Sequence, residues 1–256
     1  MLFSILTIFP HLLVSPFQEG ILRRAQNEGA ITIEITNIRD FAKDKHAMTD
    51  DRPFGGGEGM VMKPEPLAEA VKSVGNPALK KRRTILLSPQ GHLFSQAVAE
   101  DLSCDDHVVL ICGRYEGVDE RFRANYIDEE LSIGDFILSG GEFAAMIIID
   151  AVTRILPGVL GCAASAENET FSDNLLKHAQ YTRPRVFEGC EVPEVLLSGD
   201  HERIKEFRFI SSVQKTLTKR PDLIARRSFS HEEKIMLRKH GLDKELQFQQ
   251  DRSRQR

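Results

Sequence analysis

Short apolar runs that break into polar, glycine-containing loops dominate the middle of this chain. Thr84-Ile85-Leu86-Leu87 leads into Ser88-Pro89-Gln90-Gly91, and His107-Val108-Val109-Leu110-Ile111-Cys112 into Gly113-Arg114-Tyr115-Glu116-Gly117. Leu131-Ser132-Ile133 leads into Gly134-Asp135-Phe136-Ile137-Leu138-Ser139-Gly140-Gly141. Apolar runs of this length bounded by turn residues read as buried parallel strands. Met1 to Pro10 reads as another buried strand rather than a signal peptide, since it lacks a basic leader and a small-residue cleavage site. Ile31 to Thr36 alternates apolar and polar side chains, the pattern of a half-buried strand. Helical spacing runs over residues 65–74, with Pro66 near the start, and over Phe143 to Leu156, which Pro157-Gly158 stops. The sum is an α/β chain with a mainly parallel sheet. Ligands of such sheets bind beyond the carboxyl ends of the strands, so the three loops predict one pocket lined largely by backbone.

The pattern changes after residue 161. Residues 162–172 are small and polar, a linker composition. Beyond them Glu202 to Leu217 and Glu232 to His240 have helical spacing, while Gln247 to Arg256 has no apolar anchor after Phe248 and reads as a frayed tail. Charge follows the same division. Residues 1–170 hold 16 Lys/Arg against 25 Asp/Glu, whereas residues 171–256 hold 18 against 13. A basic end on an acidic body suits a part that meets phosphate, although solvated helix faces give the same count. No apolar stretch approaches the ~20 residues that cross a bilayer. Cys104, Cys112, Cys162 and Cys190 form no C-x-x-C pair and have no His cluster beside them, which argues against structural zinc or a disulfide framework. Reduced, mostly buried thiols in a cytoplasmic protein are expected.

A further loop, Arg52-Pro53-Phe54-Gly55-Gly56-Gly57-Glu58-Gly59-Met60, matches neither the G-x-x-x-x-G-K-[ST] phosphate loop nor G-x-G-x-x-G between a strand and a helix. Together with Leu87 to Gly91, Cys112 to Arg121, Ser132 to Glu142, Leu156 to Gly161, Tyr181-Thr182-Arg183-Pro184 and Val195 to His201, it resembles the bacterial tRNA (guanine-N1)-methyltransferases of the TrmD type. The resemblance runs from Met1 to about Leu223. It implies methyl transfer from S-adenosylmethionine to N1 of the guanosine at tRNA position 37, just 3′ of the anticodon. It further implies a SPOUT-type parallel sheet with a deep trefoil knot, followed by a small helical domain, in a homodimer whose sites are shared between protomers. On this reading residues 1–161 are the methyltransferase domain, 162–172 a flexible linker carrying the catalytic carboxylate, and 173–256 a helical tRNA-binding domain.

The chemistry sets what the site must contain. Guanine N1 carries a proton and is a poor nucleophile until that proton leaves, and negative charge then spreads onto O6. A positioned base for N1–H and a cation at O6 are needed. By resemblance Arg154, near the end of the apolar helix, takes the O6 role, and Glu169 takes the role of base. Glu169 departs from the family, which has Asp there. Asp173 and Glu167 are the substitutes if Glu169 is only a solvated linker acid. The cofactor would lie against Ser88, Pro89 and Gln90 on one side. Gly113, Tyr115 and Glu116 would line the middle, and Ser132, Ile133, Gly134, Asp135, Phe136, Ile137, Leu138, Gly140 and Gly141 the other side. His46, Asp50, Gly55, Gly56, Gly57 and Gly59 would hold the flipped guanine, which must leave its stack for N1 to be reached. Arg183, Arg185, Arg208, Lys215 and Arg220 would grip phosphates of the anticodon stem-loop, with a steep salt dependence. Mg²⁺ stays open, with no ligand cluster to assign it. The alternatives are another SPOUT RNA methyltransferase, or an S-adenosylmethionine-dependent RNA-binding protein without catalysis.

Overall fold

The computed structural model describes residues 1–75, 78–160, 170–171, 173–225 and 227–254, with side chains through residue 249. The chain divides into two compact units, Met1–Ala163 and Ala164–Arg256.

The first unit is built on a parallel sheet. Its strands are β1 (Leu2–Thr7), β2 (Thr32–Asn37), β5 (Arg82–Leu93), β6 (His107–Cys112) and β7 (Glu129–Ser132), in the order β2-β1-β6-β5-β7. All four pairings are parallel. A two-residue antiparallel ladder, β3 (Asp50–Asp51) with β4 (Val61–Met62), stands apart. β6 is central and buried at every position, as a strand covered on both faces must be. Its side chains alternate between two cores. Val108, Leu110 and Cys112 join Phe3, Ile5 and the inner face of α6 (Glu142–Thr153), namely Ala145, Ile148, Ile149 and Val152. Val109 and Ile111 join Leu6, Ile8 and the apolar face of α3 (Pro64–Ser73). Pro64 and Pro66 fall in the first turn of α3, where a missing N–H costs nothing. The remaining helices of this unit are α1 (His11–Val14), α2 (Gly20–Asn27), α4 (Gln96–Leu102) and α5 (Glu120–Tyr126).

Two features differ from the sequence pattern. β5 does not end at Leu87: it continues to Leu93, and its pairing with β7 breaks between Leu87 and His92, both of which face Leu131. Ser88 to Gly91 are therefore a bulge inside a strand, which turn-forming residues disguise as a loop. α6 closes at Thr153, short of Leu156, and two turn hydrogen bonds (Ile155 N–H to Val152 O, 3.1 Å, and Leu156 N–H to Thr153 O, 3.2 Å) carry the chain on to Pro157.

His107 opens β6 fully buried. Its Nε2 lies 2.9 Å from Ser4 Oγ, and its Nδ1 has no hydrogen-bond partner among the described residues. Burial, and secondarily the nearby Arg82 charge, pull the imidazole pKa down from 6.5 to about 4. The unfolded chain then takes up a proton that the folded chain refuses between those two values. Stability should be complete above pH 6.5 and fall by about 3 kcal/mol by pH 4 from this group. Urea unfolding of the wild type and His107→Gln across that range checks it, since the variant should show a shallower pH slope.

The second unit packs α7 (His201–Lys219), α8 (Pro221–Ala225), α9 (His231–Lys239) and α10 (Asp243–Arg254). Ile210, Val213 and Leu217 on α7 meet Ile224, Phe229, Leu237, Leu242 and Leu246. The tail is thus helical through Arg254 rather than frayed. Leu242 and Leu246, four residues apart, seat its first turn in this core, and the missing apolar anchors matter only beyond it. A short ladder, β8 (Val186–Phe187) with β9 (Cys190–Glu191), lies nearby in sequence. Cys104 and Cys190 are exposed, in a turn and in this ladder, and Cys112 alone among the described cysteines is buried; Cys162 lies outside the described residues. Among the described residues no helix is long and apolar enough to cross a membrane.

Candidate functional site

The carboxyl ends of β5, β6 and β7 open onto a cavity of about 550 Å³. Ser88, Pro89 and Gln90 from the β5 bulge line one side, and Gly113, Tyr115 and Glu116 from the loop after β6 line the middle. Ser132, Ile133, Gly134, Phe136, Ile137, Leu138, Gly140 and Gly141 complete it. The sequence thus located the wall, with one departure. Asp135 is exposed at the crest of a turn closed by Phe136 N–H to Gly134 O (2.9 Å), and it is not part of the lining. Charged residues that the sequence did not assign to the site also line the cavity: Arg114 and Glu120, inside the Cys112 to Arg121 motif, and Arg123 and Glu130 outside it. Arg123 pairs with both glutamates, Glu120 at 2.6 Å and Glu130 at 2.9 Å. A signal for this was present, since Glu120 and Arg123 are i,i+3 on α5.

The glycine-rich loop joins β3 to β4, and its end is fastened to this wall. Met62 N–H donates to Gly117 O (2.9 Å), Glu116 N–H to Met60 O (3.0 Å) and Asp119 N–H to Met62 O (3.0 Å). At Gly59, with φ +79°, a Cβ would lie 2.6 Å from Glu116 Oε1. The left-handed backbone favours glycine here, and any side chain would have to push the exposed Glu116 carboxylate aside. Gly55, Gly56 and Gly57 also have positive φ, and Phe54 before them is 99% exposed. Asp50 starts the ladder beneath the loop, with Thr49 Oγ1 3.3 Å from its carboxylate. His46 is exposed in a turn that the Asp44 carboxylate closes, outside the cavity lining.

Arg154 is placed elsewhere. Gly141 and Ala144, at the start of α6, line the cavity, whereas Arg154 caps the far end. Twelve residues of α-helix separate the two ends by ~18 Å. The backbone N–H of Arg154 bonds to Asp150 O (3.2 Å), and the buried inner face of α6 fixes where the helix ends. Within one chain Arg154 therefore does not reach the cavity. Glu169 lies outside the described residues. A second cavity, about 660 Å³, lies at the opposite ends of the strands against Met1, Leu2, Asp105 and Asp106, where open α/β sheets do not place their ligands.

In the second unit Arg183, Arg185 and Arg208 are exposed. Lys215 Nζ donates to Lys177 O (3.1 Å), and Arg220 pairs with Asp222 (2.7 Å), which raises the guanidinium pKa. Arg227, which the sequence did not single out, is buried. It pairs with Asp173 and with Glu233 (2.7 Å) and sits 4.4 Å from the Phe229 ring centroid. Ser230 and Glu233 form a capping box at the start of α9, and that Ser-x-x-Glu spacing was legible.

The chain matches the tRNA (guanine-1)-methyltransferase TrmD family profile over residues 1–226. It belongs to that family. Curated relatives named tRNA (guanine-N(1)-)-methyltransferase agree with this. The protein of Desulfatibacillum aliphaticivorans is 51% identical over 239 residues, covering 93% of this chain and 91% of the relative. That of Carboxydothermus hydrogenoformans is 53% identical over 234 residues, 91% of each. That of Dictyoglomus turgidum is 51% identical over 236 residues, 91% of this chain and 94% of the relative.

A methyltransferase family requires a methyl donor, and the cavity suits S-adenosylmethionine. Its size lies within the few hundred to ~1,000 Å³ of small-molecule sites. A Cβ on Gly141 would meet Cys112 Cα at 2.8 Å, so the backbone is drawn in close around the floor. Arg123 compensates Glu120 and Glu130 in the lining, Glu116 adds a further carboxylate, and Glu130 Oε2 is buried without a hydrogen-bond partner among the described residues. Among the described residues no group of His, Cys, Asp and Glu is disposed to hold a metal.

Proposed function

We propose that this protein transfers a methyl group from S-adenosylmethionine to N1 of the guanosine at position 37 of tRNA, in the cytoplasm. The observation that carries the reading is the glycine-walled cavity beyond β5, β6 and β7 in a chain of this family. The cofactor supplies an activated methyl on a sulfonium. The chain supplies the rest. The backbone of residues 132–134, 136–138 and 113–116 holds the adenosyl and methionine parts, and the glycine-rich loop with Asp50 and His46 receives the unstacked guanine. Glu169 takes the N1 proton, and the Arg154 guanidinium stabilises charge developing on O6. Residues 162–172 bring the base, and residues 173–256 hold the anticodon stem-loop through exposed Arg183, Arg185 and Arg208. Lys215 and Arg220, already engaged within the chain, add less. Mg²⁺ is given no site. The strands and loops around the cavity form the family's trefoil knot on this reading.

Two observations support a homodimer. Arg154 lies ~15 Å along α6 from Ala144, the nearest lining residue of its own chain, so it serves the cavity of a partner. α6 also leaves Phe143 and Ile147 half-exposed, and Phe9, Leu12 and Val14 at and before α1 are comparably bare, an apolar face of the kind that oligomers cover.

The test is methyl transfer from labelled S-adenosylmethionine to unmodified tRNA transcripts with guanosine or adenosine at position 37. Label in the first alone supports the reading. Label in both, or in neither while cofactor binds, replaces it with another RNA target or with binding alone. A second expectation concerns the loop. Gly59→Ala sets a Cβ against Glu116 in a left-handed backbone. A displacement of about 1 Å at Glu116 should cost about 10²-fold in turnover. Steady-state rates at saturating cofactor and tRNA check this.

A further inference from the structure

Glu142 closes the Ser132 to Glu142 motif, yet the proposed chemistry gives it no role. It is 1% exposed, in the first turn of α6. Three donors converge on it. Thr7 Oγ1 donates to Oε1 (2.6 Å), Arg114 Nε to Oε1 (3.1 Å) and Arg114 Nη2 to Oε2 (3.1 Å). The Thr7 hydroxyl in turn accepts from Phe9 N–H (2.9 Å), and the Arg114 guanidinium lies 4.1 Å from the Phe9 ring centroid. One carboxylate thus ties the end of β1, the loop after β6 and the start of α6.

A buried ion pair gains little net stability, because the desolvation of both charges offsets their attraction. What it supplies here is geometry. Arg114 immediately precedes Tyr115, held at φ +58°, and Glu116. Its own backbone bridges to Gly140, and Gly141 N–H donates to Gly113 O (3.1 Å). A Cβ on Gly140 would strike Glu142 Oε2 and come within 2.6 Å of Arg114 Nε. Gly140 is thus glycine to admit this pair, whatever else it touches in the cavity.

We propose that Glu142 is a positioning residue, a strut acting through Arg114 to hold the Gly113–Gly117 wall of the cavity at the distance from Gly140-Gly141 that the cofactor needs. This rests on the proposed function, and the test separates the two. Thr7 does not line the cavity and touches Glu142, so its effect on cofactor affinity passes through the strut. Binding of S-adenosylhomocysteine is measured by calorimetry for the wild type, Glu142→Gln, Thr7→Val and Thr7→Ser, with KM and kcat for each. Glu142→Gln should weaken binding about tenfold or more, and Thr7→Val by a few-fold, since each leaves a buried donor or acceptor unmatched. Thr7→Ser keeps the hydroxyl and should bind like the wild type. The KM for cofactor should rise in step, while kcat at saturation and the KM for tRNA stay within about threefold. If Glu142→Gln does not fold, Thr7→Val against Thr7→Ser decides. A wild type that fails to bind S-adenosylhomocysteine sinks the functional reading. Wild-type binding with variants of unchanged affinity and a reduced active fraction makes Glu142 purely structural and overturns the inference.

Discussion

Replacing Glu169 with Gln should lower methyl transfer by about 10³-fold at saturating cofactor and tRNA, within the 10²–10⁴-fold that a positioned general base contributes. The amide keeps the shape of the side chain and loses its ability to take the N1 proton. Affinity for S-adenosylhomocysteine should be unchanged, because the carboxylate acts on the guanine rather than on the cofactor. Glu169→Asp restores the residue that the family carries. It moves the carboxylate by one methylene and should keep activity within about tenfold, provided the linker adjusts. Of the two substitute bases that the sequence offered, the structure weakens one. Asp173 is bonded to the buried Arg227 guanidinium, which already engages Glu233, so its carboxylate is committed to holding the second unit together. Single-turnover rates of the Glu169 and Asp173 variants decide: near-full turnover for Glu169→Gln would pass the role of base to another group.

The parts of this molecule legible in its sequence are those where one local rule decides. β6 is apolar at nearly every position because it is covered on both faces, and Pro157-Gly158 marks the end of the segment that follows α6. The cavity wall was legible for the same reason, since a loop after a buried parallel strand faces the ligand side whatever its partners. Reading failed where distant residues decide. The β5 bulge depends on which β7 residue faces Leu87 and His92, a matter of pairing that turn-like composition at Ser88 to Gly91 conceals. Leu242 and Leu246 look too few to anchor a tail until the core around Leu217 and Ile224 is in place. Glu142 and Arg114 are separated by 28 positions, and Thr7 and Glu142 by 135, so no spacing announces their network. Gly59 and Glu116 belong to different motifs, and only the hydrogen bonds of Met60 and Met62 to the loop after β6 bring them together.

The position of Arg154 makes the sharpest claim about assembly. Arg154→Ala should cost about 10²–10³-fold in kcat, the usual loss when one preorganised donor to a developing oxyanion is removed. Arg154→Lys keeps the charge but not the planar fork, and should recover part of that loss. Cofactor affinity should not change, since the guanidinium acts on guanine O6 rather than on the cofactor, while within its own chain the α6 terminus lies ~15 Å from the nearest lining residue, Ala144. That separation yields a complementation test. Arg154→Ala subunits keep an intact cavity. Gly140→Val subunits keep Arg154, but their cavity is spread by a side chain driven between Arg114 and Glu142. Each variant alone should be nearly inactive. When equal amounts are dissociated and reassembled, half of the dimers are mixed, and each has one site built from an intact cavity and an intact Arg154. Activity should return to about a quarter of the wild-type level, the fraction fixed by two-fold symmetry. If Arg154 served its own chain, the mixed dimers would gain nothing, and the sum of the two inactive preparations would be all that remained.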